Sequence, residues 1–331
     1  MKNNPNIVVI GGAGYIGSTV SDFFLNKKYA VKSIDNLIYN QETPVKKKNF
    51  SFYNLNIAKI NKVKNLIDRN SIVILLAGLV GDPITKKYPK ISKKINENYI
   101  IKFINLCFKK KINHLIFVST CSNYGITGTK KMVDENSKLN PLSLYAKSKI
   151  KIEKYLKKKS KNNKMKITIL RFATAFGISK RMRFDLTVNQ FVREIFLKNN
   201  LEVYDTGTWR PYCHVKDFAG AIYRTIYKKN NKLFDIYNVG SNKNNFTKEK
   251  LIKKIQKYIK IKNVSFVEKK TDYRNYKVNF TKMKKKLNFI PKYSVDYGIK
   301  EIIYAMKKKK FLKLKESNDF FGNYKIQKQI S

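Results

Sequence analysis

The sequence predicts an α/β protein with a doubly wound parallel sheet and a smaller C-terminal α/β cap. Two observations predict this fold. The first is a run of four branched aliphatic residues at 7–10, followed at once by three glycines spaced three apart and then by a helical pattern. The second is the alternation of short apolar runs with amphipathic stretches up to residue 172, which is typical of parallel strands joined by helices.

The first strand, at 7–10, is expected to be buried on both faces because all its residues are apolar. The helix after the glycines places Ile16, Val20 and Phe24 on one side and polar residues on the other. The same reasoning predicts six further strands, at 30–35, 50–53, 71–77, 114–119, 166–172 and 235–239. It also predicts helices at 58–69, 91–109, 142–158, 188–198, 216–227, 247–259, 280–287 and 294–308, and a turn-rich piece at 206–211.

The composition limits the partners of this chain. With 331 residues, 43% of them hydrophobic, it is long enough to bury a large core. The net charge of +49 comes mostly from lysines spread over the whole length, whereas a nucleic-acid-binding protein concentrates them on one face, so we expect no nucleic-acid partner. Three cysteines and two histidines show no metal-ligand spacing, so we expect no disulfide and no metal. Without an export signal or an apolar run near ~20 residues, we expect a cytoplasmic protein with no membrane partner.

The glycine stretch indicates a dinucleotide site. A strand, a tight glycine turn and a helix N-terminus bring free N–H groups and the positive end of a helix dipole to one point, where a pyrophosphate binds. Asp35 ends the second predicted strand, where a carboxylate accepts hydrogen bonds from the adenosine ribose. Because that carboxylate repels a 2′-phosphate, the pattern favours NAD over NADP as cofactor.

Tyr145 and Lys149 form the second chemical signal. They are four residues apart at the start of the predicted helix at 142–158, so they share one helix face. A tyrosine has an ordinary pKa near ~10, and a neighbouring cation lowers it by roughly 1–3 units. The pair therefore predicts a general base that works near neutral pH.

Several segments extend this pattern through the chain. They are Gly11–Ser18, Ser119–Gly125, Leu170–Gly177, Phe176–Leu186, Trp209–Asp217, Tyr237–Gly240 and Asp272–Tyr276. Together they resemble the extended short-chain dehydrogenases/reductases of the NAD-dependent nucleotide-sugar epimerase/dehydratase family, and are similar to UDP-glucose 4-epimerases and GDP-heptose 4-dehydrogenases. The resemblance covers residues 6–305. It implies a Rossmann-type NAD-binding domain at 1–172, a mainly substrate-binding cap at 173–331 with the part at 214–240 returning to the first domain, and a homodimer that binds a nucleotide-diphosphate sugar.

The resemblance also implies a mechanism. Tyr145 takes the proton of the sugar C4 hydroxyl while hydride passes from C4 to NAD, Lys149 holds the nicotinamide ribose and lowers the pKa of Tyr145, and Thr120 hydrogen-bonds the reacting oxygen. The implied cofactor-binding residues are Gly11, Gly14, Tyr15, Ile16, Gly17, Asp35, Asn36, Asn56, Ile57, Ala77, Gly78, Asn98, Tyr145 and Lys149. The implied substrate-binding residues are Thr120, Tyr145, Thr174, Arg183, Asn189, Arg210 and Arg274, of which Arg210 and Arg274 suit a diphosphate.

Departures from the family pattern narrow the reaction. Cys121 and Ser122 stand where the 4,6-dehydratases of the family have Asp and Glu, so dehydration is disfavoured. Asn56 replaces an Asp and Thr174 replaces a substrate-binding Asn. The leading hypothesis is an NAD-dependent nucleotide-sugar epimerase in surface-polysaccharide sugar biosynthesis. The alternative is a nucleotide-sugar 4-dehydrogenase or ketoreductase, and a non-enzymatic NAD-binding protein is disfavoured by the intact Thr120, Tyr145 and Lys149.

Overall fold

The structure is a computed structural model, which describes residues 5–128, 131–228, 232–260, 262–268, 274–311 and 321–328. It is built around one main sheet. Its parallel strands are β1 (Asn6–Ile10), β2 (Val31–Asp35), β3 (Phe50–Asn54), β4 (Ser71–Leu75), β5 (His114–Thr120), β6 (Lys166–Phe172) and, after three strands of the cap, β10 (Phe234–Val239). Their order is β10-β6-β5-β4-β1-β2-β3, so it reverses at β1 and β4. This reversal opens a crevice at the carboxyl ends of the strands, where ligands of doubly wound sheets bind. The Rossmann-type α/β fold is confirmed.

Helices cover both faces of this sheet. The helices of the described ranges are α1 (Tyr15–Asn26), α2 (Ile60–Val63), α3 (Asp82–Lys87), α4 (Pro89–Lys93), α5 (Ile100–Lys110), α6 (Leu144–Ser160), α7 (Thr187–Phe196), α8 (Val215–Tyr227), α9 (Lys248–Gln256), α10 (Thr281–Leu287) and α11 (Val295–Lys307). Of these, α7, α9 and α11 pack against elements of the cap. Strand β1 shows why both faces are apolar. Ile7 and Val9 pack into one core cluster and Val8 and Ile10 into the other, as alternation along a strand requires.

The cap contributes two small sheets. Strands β7 (Thr174–Phe176), β9 (Trp209–His214) and β11 (Asn245–Thr247) form one in the order β11-β9-β7, and β8 (Leu201–Tyr204) pairs in parallel with β12 (Val264–Val267) in the other. The chain then returns to the main sheet, since β10 pairs with β6.

Three local predictions hold only in part. The turn-rich piece at 206–211 ends inside β9. There Pro211 pairs with Asn245 of β11, whereas pairing with β7 begins only at Tyr212. The N–H that Pro211 lacks is therefore not needed for a hydrogen bond to β7. The helix predicted at 58–69 is regular only over Ile60–Val63 and continues as turns. The helix at 91–109 exists in three parts, α4, a π-helix over Lys94–Tyr99, and α5.

Candidate active site

A cavity of about 1100 Å³ lies at the carboxyl ends of β1, β2, β4 and β5. Its lining includes most of the predicted cofactor residues, namely Gly11, Gly14, Tyr15, Ile16, Gly17, Asp35, Asn36, Asn56, Ile57, Ala77, Gly78, Tyr145 and Lys149. It also includes most of the predicted substrate residues, namely Thr120, Tyr145, Thr174, Arg183, Arg210 and Arg274. One cavity therefore brings together residues from both halves of the chain.

The glycine turn has no room for side chains. A Cβ on Gly17 would lie 2.0 Å from the Gly11 carbonyl oxygen, and one on Gly11 would lie 2.8 Å from the Ala77 backbone nitrogen. Gly11 also has φ +86°, a left-handed conformation that favours glycine. Helix α1 begins directly after this turn, so its free N–H groups face the cavity. This cradle fits the pyrophosphate of a dinucleotide.

Asp35 is fixed by main-chain donors. Its carboxylate accepts hydrogen bonds from the Ala13 N–H at 3.1 Å and the Leu37 N–H at 2.9 Å. Burial raises the pKa of this carboxyl, and these two N–H groups act in the opposite direction. The bond to Ala13 ties the end of β2 to the glycine turn, which places the carboxylate beside the predicted ribose position.

Thr120, Tyr145 and Lys149 meet on one wall of the cavity. Helix α6 begins at Ser143, whose hydroxyl accepts the Ala146 N–H, and carries both Tyr145 and Lys149. The Lys149 Nζ donates to the Val118 carbonyl at 2.9 Å and lies 5.7 Å from the centre of the Tyr145 ring. The Thr120 Oγ1 accepts the Ser122 N–H at 3.0 Å, so its own proton is free to point into the cavity.

The pKa of Tyr145 is not lowered, contrary to the expectation from the sequence. Burial lowers the pKa of Lys149 to about 8, although Glu153 acts to raise it. Burial also raises the pKa of Tyr145, with a further rise from the Asp82 carboxylate and an opposing effect of the Arg183 guanidinium. Tyr145 is therefore held protonated, and the cation that acts to lower its pKa is Arg183.

A buried ionic network supports the catalytic wall from behind. Arg171 and Glu153 form an ion pair of 2.7 Å, almost fully buried. The same carboxylate accepts hydrogen bonds from the Ser119 hydroxyl and from the Asn123 amide at 2.9 Å. Because Ser119 precedes Thr120 directly, this network sets the position of the Thr120 hydroxyl.

Cys121 does not take part in the cavity wall. Its thiol is buried and donates to the Arg171 carbonyl at 3.3 Å, and burial raises its pKa. Ser122 does line the cavity, and its Oγ accepts a hydrogen bond of 3.4 Å from the Tyr276 hydroxyl. Neither position offers the carboxyl group that the dehydratase pattern has there.

Arg210 and Arg274 lie together, as predicted, and each has protein contacts. Arg210 donates to the Trp209 carbonyl at 2.7 Å and to the Arg274 carbonyl. Arg274 forms an ion pair of 2.5 Å with Asp82, the first residue of α3, and both side chains are about a quarter exposed. Asp82 was not predicted. The local sequence signal is the preceding glycine, Gly81, which adopts φ +122° directly before α3.

Two predicted residues have structural contacts instead. Asn189 does not line the cavity: its side chain accepts the Gly177 N–H and donates to the Arg183 carbonyl and the Tyr15 hydroxyl. Its assignment to the substrate is therefore wrong. Arg183 does line the cavity, but its guanidinium forms a two-bond ion pair with Asp185. Burial alone would raise the pKa of Asp185, and Arg183 outweighs this and holds it below its ordinary value.

The assignment of Asn98 to the site is also wrong. Asn98 is exposed, whereas Asn96 is buried, accepts the Leu79 N–H at 2.8 Å and donates to the Leu79 carbonyl. The π-helix over Lys94–Tyr99 adds a residue to the turn and shifts the helical register here. The assignment of Asn98 rests on the resemblance to the family, which does not show this change of register.

Other cavity residues gave no recognisable signal in the sequence. They include Gln41, Lys86, Gln190, Lys248, Asn323 and Tyr324. The structure describes no cluster of three or more His, Cys, Asp or Glu side chains that is suited to a metal. Among the helices in the described ranges, none has the length and apolar character needed to cross a membrane.

The fold and this site define an NAD-dependent enzyme built on a Rossmann-type sheet. The model of the NAD dependent epimerase/dehydratase family matches residues 7–240, and the chain belongs to this family. A UDP-glucuronate 4-epimerase from Thermodesulfobacterium geofontis is 26% identical over 311 residues, which are 89% of this chain and 94% of that protein.

Solved structures agree with this result. UDP-glucose 4-epimerase from Thermotoga maritima, solved with UDP-glucose, matches with a TM-score of 0.81 and 26% identity over 92% of this chain and 99% of that one. UDP-glucose 4-epimerase from Thermus thermophilus, solved with NAD, matches with a TM-score of 0.80 over 91% and 99% of the two chains; at 20% identity it supports the fold alone.

Proposed function

We propose that this protein is a nucleotide-sugar 4-epimerase that acts by transient oxidation of the sugar at C4. The observation that carries the proposal is the meeting of Thr120, Tyr145 and Lys149 with Arg210 and Arg274 in a cavity that also contains the glycine turn. The two relatives at 26% identity, both named as UDP-sugar 4-epimerases, support the same reaction.

The chain's own residues divide the work of proton transfer. Bound NAD supplies the hydride acceptor. Tyr145 first gives up its own proton to solvent; its phenolate then takes the proton of the C4 hydroxyl, and the resulting phenol returns this proton after reduction on the other face. Thr120 donates a hydrogen bond to the same oxygen, because its Oγ1 already accepts the Ser122 N–H. Lys149 uses one proton on the Val118 carbonyl and keeps two others for the cofactor ribose.

The nucleotide diphosphate is assigned to Arg210 and Arg274. A guanidinium suits a diphosphate because its planar fork makes paired hydrogen bonds to phosphate oxygens. The Arg274 side chain is about a quarter exposed, and its ion pair with Asp82 exchanges for a phosphate without burying a new charge. We also propose that Thr174, which lines the cavity, contacts the sugar-diphosphate.

Elimination of water is disfavoured on the same grounds. A dehydratase needs an acid close to the leaving hydroxyl, and the Cys121 thiol is turned to the Arg171 carbonyl. The hydroxyl of Ser122 has far too high an ordinary pKa to serve as that acid. Oxidation without return of the hydride would use the same catalytic residues. Only the product distinguishes this reaction from epimerisation.

The test is mass spectrometry with proton NMR on the purified protein, NAD and a panel of nucleotide sugars. We expect an isomer of unchanged mass whose C4 coupling pattern is inverted. Loss of two hydrogens with accumulation of NADH would instead establish a 4-dehydrogenase. Loss of water would contradict the assignment of Cys121 and Ser122.

We further propose a cytoplasmic homodimer that supplies sugars for surface polysaccharides. The pathway rests on the resemblance of Phe176–Leu186. The dimer rests on the resemblance to the family, with the helices predicted at 91–109 and 142–158 as a four-helix interface. Light scattering of the wild type tests the dimer: twice the 38.8 kDa mass of one chain supports it, and the mass of a single chain contradicts it.

A further inference from the structure

The segment at 321–328, near the C-terminus, lies across the cavity and joins three of its loops. At its start, the Phe321 carbonyl accepts the Phe184 N–H at 2.7 Å, and the Gly322 carbonyl accepts the Arg181 guanidinium at 2.9 Å. At its end, the N–H groups of Gln327 and Lys328 both donate to the Ile38 carbonyl. Hydrogen bonds at both ends, to loops on different sides of the cavity, hold the segment in place.

The loops it joins are those of the cofactor side. Ile38 follows the strand that ends in Asp35, and Ile326 packs against the small apolar cluster of Ile38, Leu79, Ile84 and Ile95. Arg181 lies 5.0 Å from the ring centre of Tyr39, another cavity residue on this loop. The segment therefore closes the cavity beside the predicted ribose and pyrophosphate positions, between the loop after β2 and the loop after β4.

Asn323 lies at the centre of this crossing and lines the cavity. Its backbone N–H donates to Asp185 at 3.3 Å and its Nδ2 donates to the Val80 carbonyl at 3.1 Å. A carbonyl oxygen can only accept a hydrogen bond, so the Asn323 atom that faces the Val80 carbonyl is the amide nitrogen and the other atom is the oxygen. Asn323 is only 6% exposed, and within the described part of the chain its Oδ1 accepts no hydrogen bond.

A buried acceptor without a donor is costly, so its presence in a ligand cavity indicates a donor supplied by the ligand. We propose that residues 321–328 complete the NAD site, closing over the bound cofactor, and that the Asn323 Oδ1 accepts a hydrogen bond from a hydroxyl group of the cofactor. The segment thereby slows release of NAD between turnovers. This role concerns cofactor retention and does not depend on which sugar is the substrate.

The experiment measures NADH release from the purified full chain by its fluorescence after mixing with excess NAD. A variant that ends at Gly322 keeps the contacts of Phe321 and Gly322 and removes the rest of the segment. We expect it to release NADH on the order of tenfold faster, because affinity changes are expressed mostly in dissociation rates. Asn323→Ala and Asn323→Leu, which lack the acceptor, are expected to release NADH several-fold faster.

Three controls keep this test decisive. A variant that ends at Lys328 and the exposed change Asn136→Ala are expected to release NADH at the wild-type rate. Thermal unfolding of each variant without NADH shows whether the fold is intact, and the two Asn323 variants carry the test if the truncated chain does not fold. Wild-type NADH release rates in the Asn323 variants would overturn the proposal. A change confined to their affinity for UDP would also overturn it, because it would assign Asn323 to the substrate site.

Discussion

The two sides of the cavity are built in different ways. On the cofactor side the important contacts are made by or to the main chain: the glycine turn, the N–H groups that hold Asp35, and the Val118 carbonyl that holds Lys149. On the substrate side Arg210 also has main-chain partners. Arg183 and Arg274, however, are held by carboxylate side chains, Asp185 and the partly exposed Asp82. Main-chain contacts hold one geometry, whereas exposed ion pairs exchange easily. The comparison indicates a preformed cofactor site facing an adjustable substrate site.

The largest expected effect is loss of the proton acceptor. Tyr145→Phe should lower kcat by about 10²–10⁴-fold, because the phenyl ring still packs but no longer exchanges a proton. NADH affinity should stay close to the wild-type value. Turnover measured by NMR and NADH binding measured by fluorescence give the two numbers, and a normal kcat in this variant would remove Tyr145 from its proposed role.

The second effect tests how rigid the cofactor side is. Gly17→Ala places a Cβ 2.0 Å from the Gly11 carbonyl oxygen, so the turn must move and NADH affinity should fall on the order of tenfold or more. Gly207→Ala is the control, because nothing lies within 4 Å of its added Cβ and it does not line the cavity. Equal affinities in the two variants, measured by titration, would contradict a turn shaped by steric exclusion.

The third effect tests how adjustable the substrate side is. Arg274→Met should raise KM about 10–100-fold through loss of a charged hydrogen bond to phosphate. Asp82→Asn should act in the opposite direction and lower KM a few-fold, since a partly exposed ion pair is worth about 0.2–1 kcal/mol. UDP affinity measured by calorimetry gives the same comparison without turnover. A higher KM in Asp82→Asn would show that the carboxylate assists the substrate instead of competing with it.

The smallest effect concerns Glu301, a partly buried carboxylate of helix α11. Glu301 accepts hydrogen bonds from His214 at 2.9 Å, from the Ile178 N–H at 3.1 Å and from Lys216. Burial acts to raise its pKa, but the hydrogen bonds from His214 and Lys216 outweigh this and lower the pKa from 4.5 to about 2. A lowered carboxyl pKa stabilises the fold above pH 4.5, and this contribution disappears as the pH falls from 4.5 to about 2.

Glu301→Gln should therefore lower the melting temperature by a few degrees at neutral pH and by less as the pH approaches 2. The measurement is the difference in melting temperature between wild type and variant as a function of pH. A difference that is constant between pH 7 and pH 3 would show that the carboxylate charge does not contribute.

The same contrast explains what could be predicted from the sequence. Strands β1 and β4 are almost continuous apolar runs because both of their faces are buried, and the glycine turn and the four-residue spacing of Tyr145 and Lys149 are local patterns. Asp82 and Asn323 could not be predicted, since their roles depend on Arg274 and Val80, which are distant in sequence. The sequence pattern points to Asn98 instead of Asn96 because a π-helix leaves no recognisable signal.

The position of β10 has a consequence for folding. The sheet is completed by a strand at 234–239 that pairs with β6, which ends at residue 172, so the whole stretch 173–233 must be looped out before the pairing forms. Closing a long loop is entropically costly, and such non-local pairing is slow. Until it forms, β6 has an open edge that another chain can pair with, so aggregation during refolding should begin there. A chain that ends before residue 234 would lack β10 and would keep that edge of β6 open permanently.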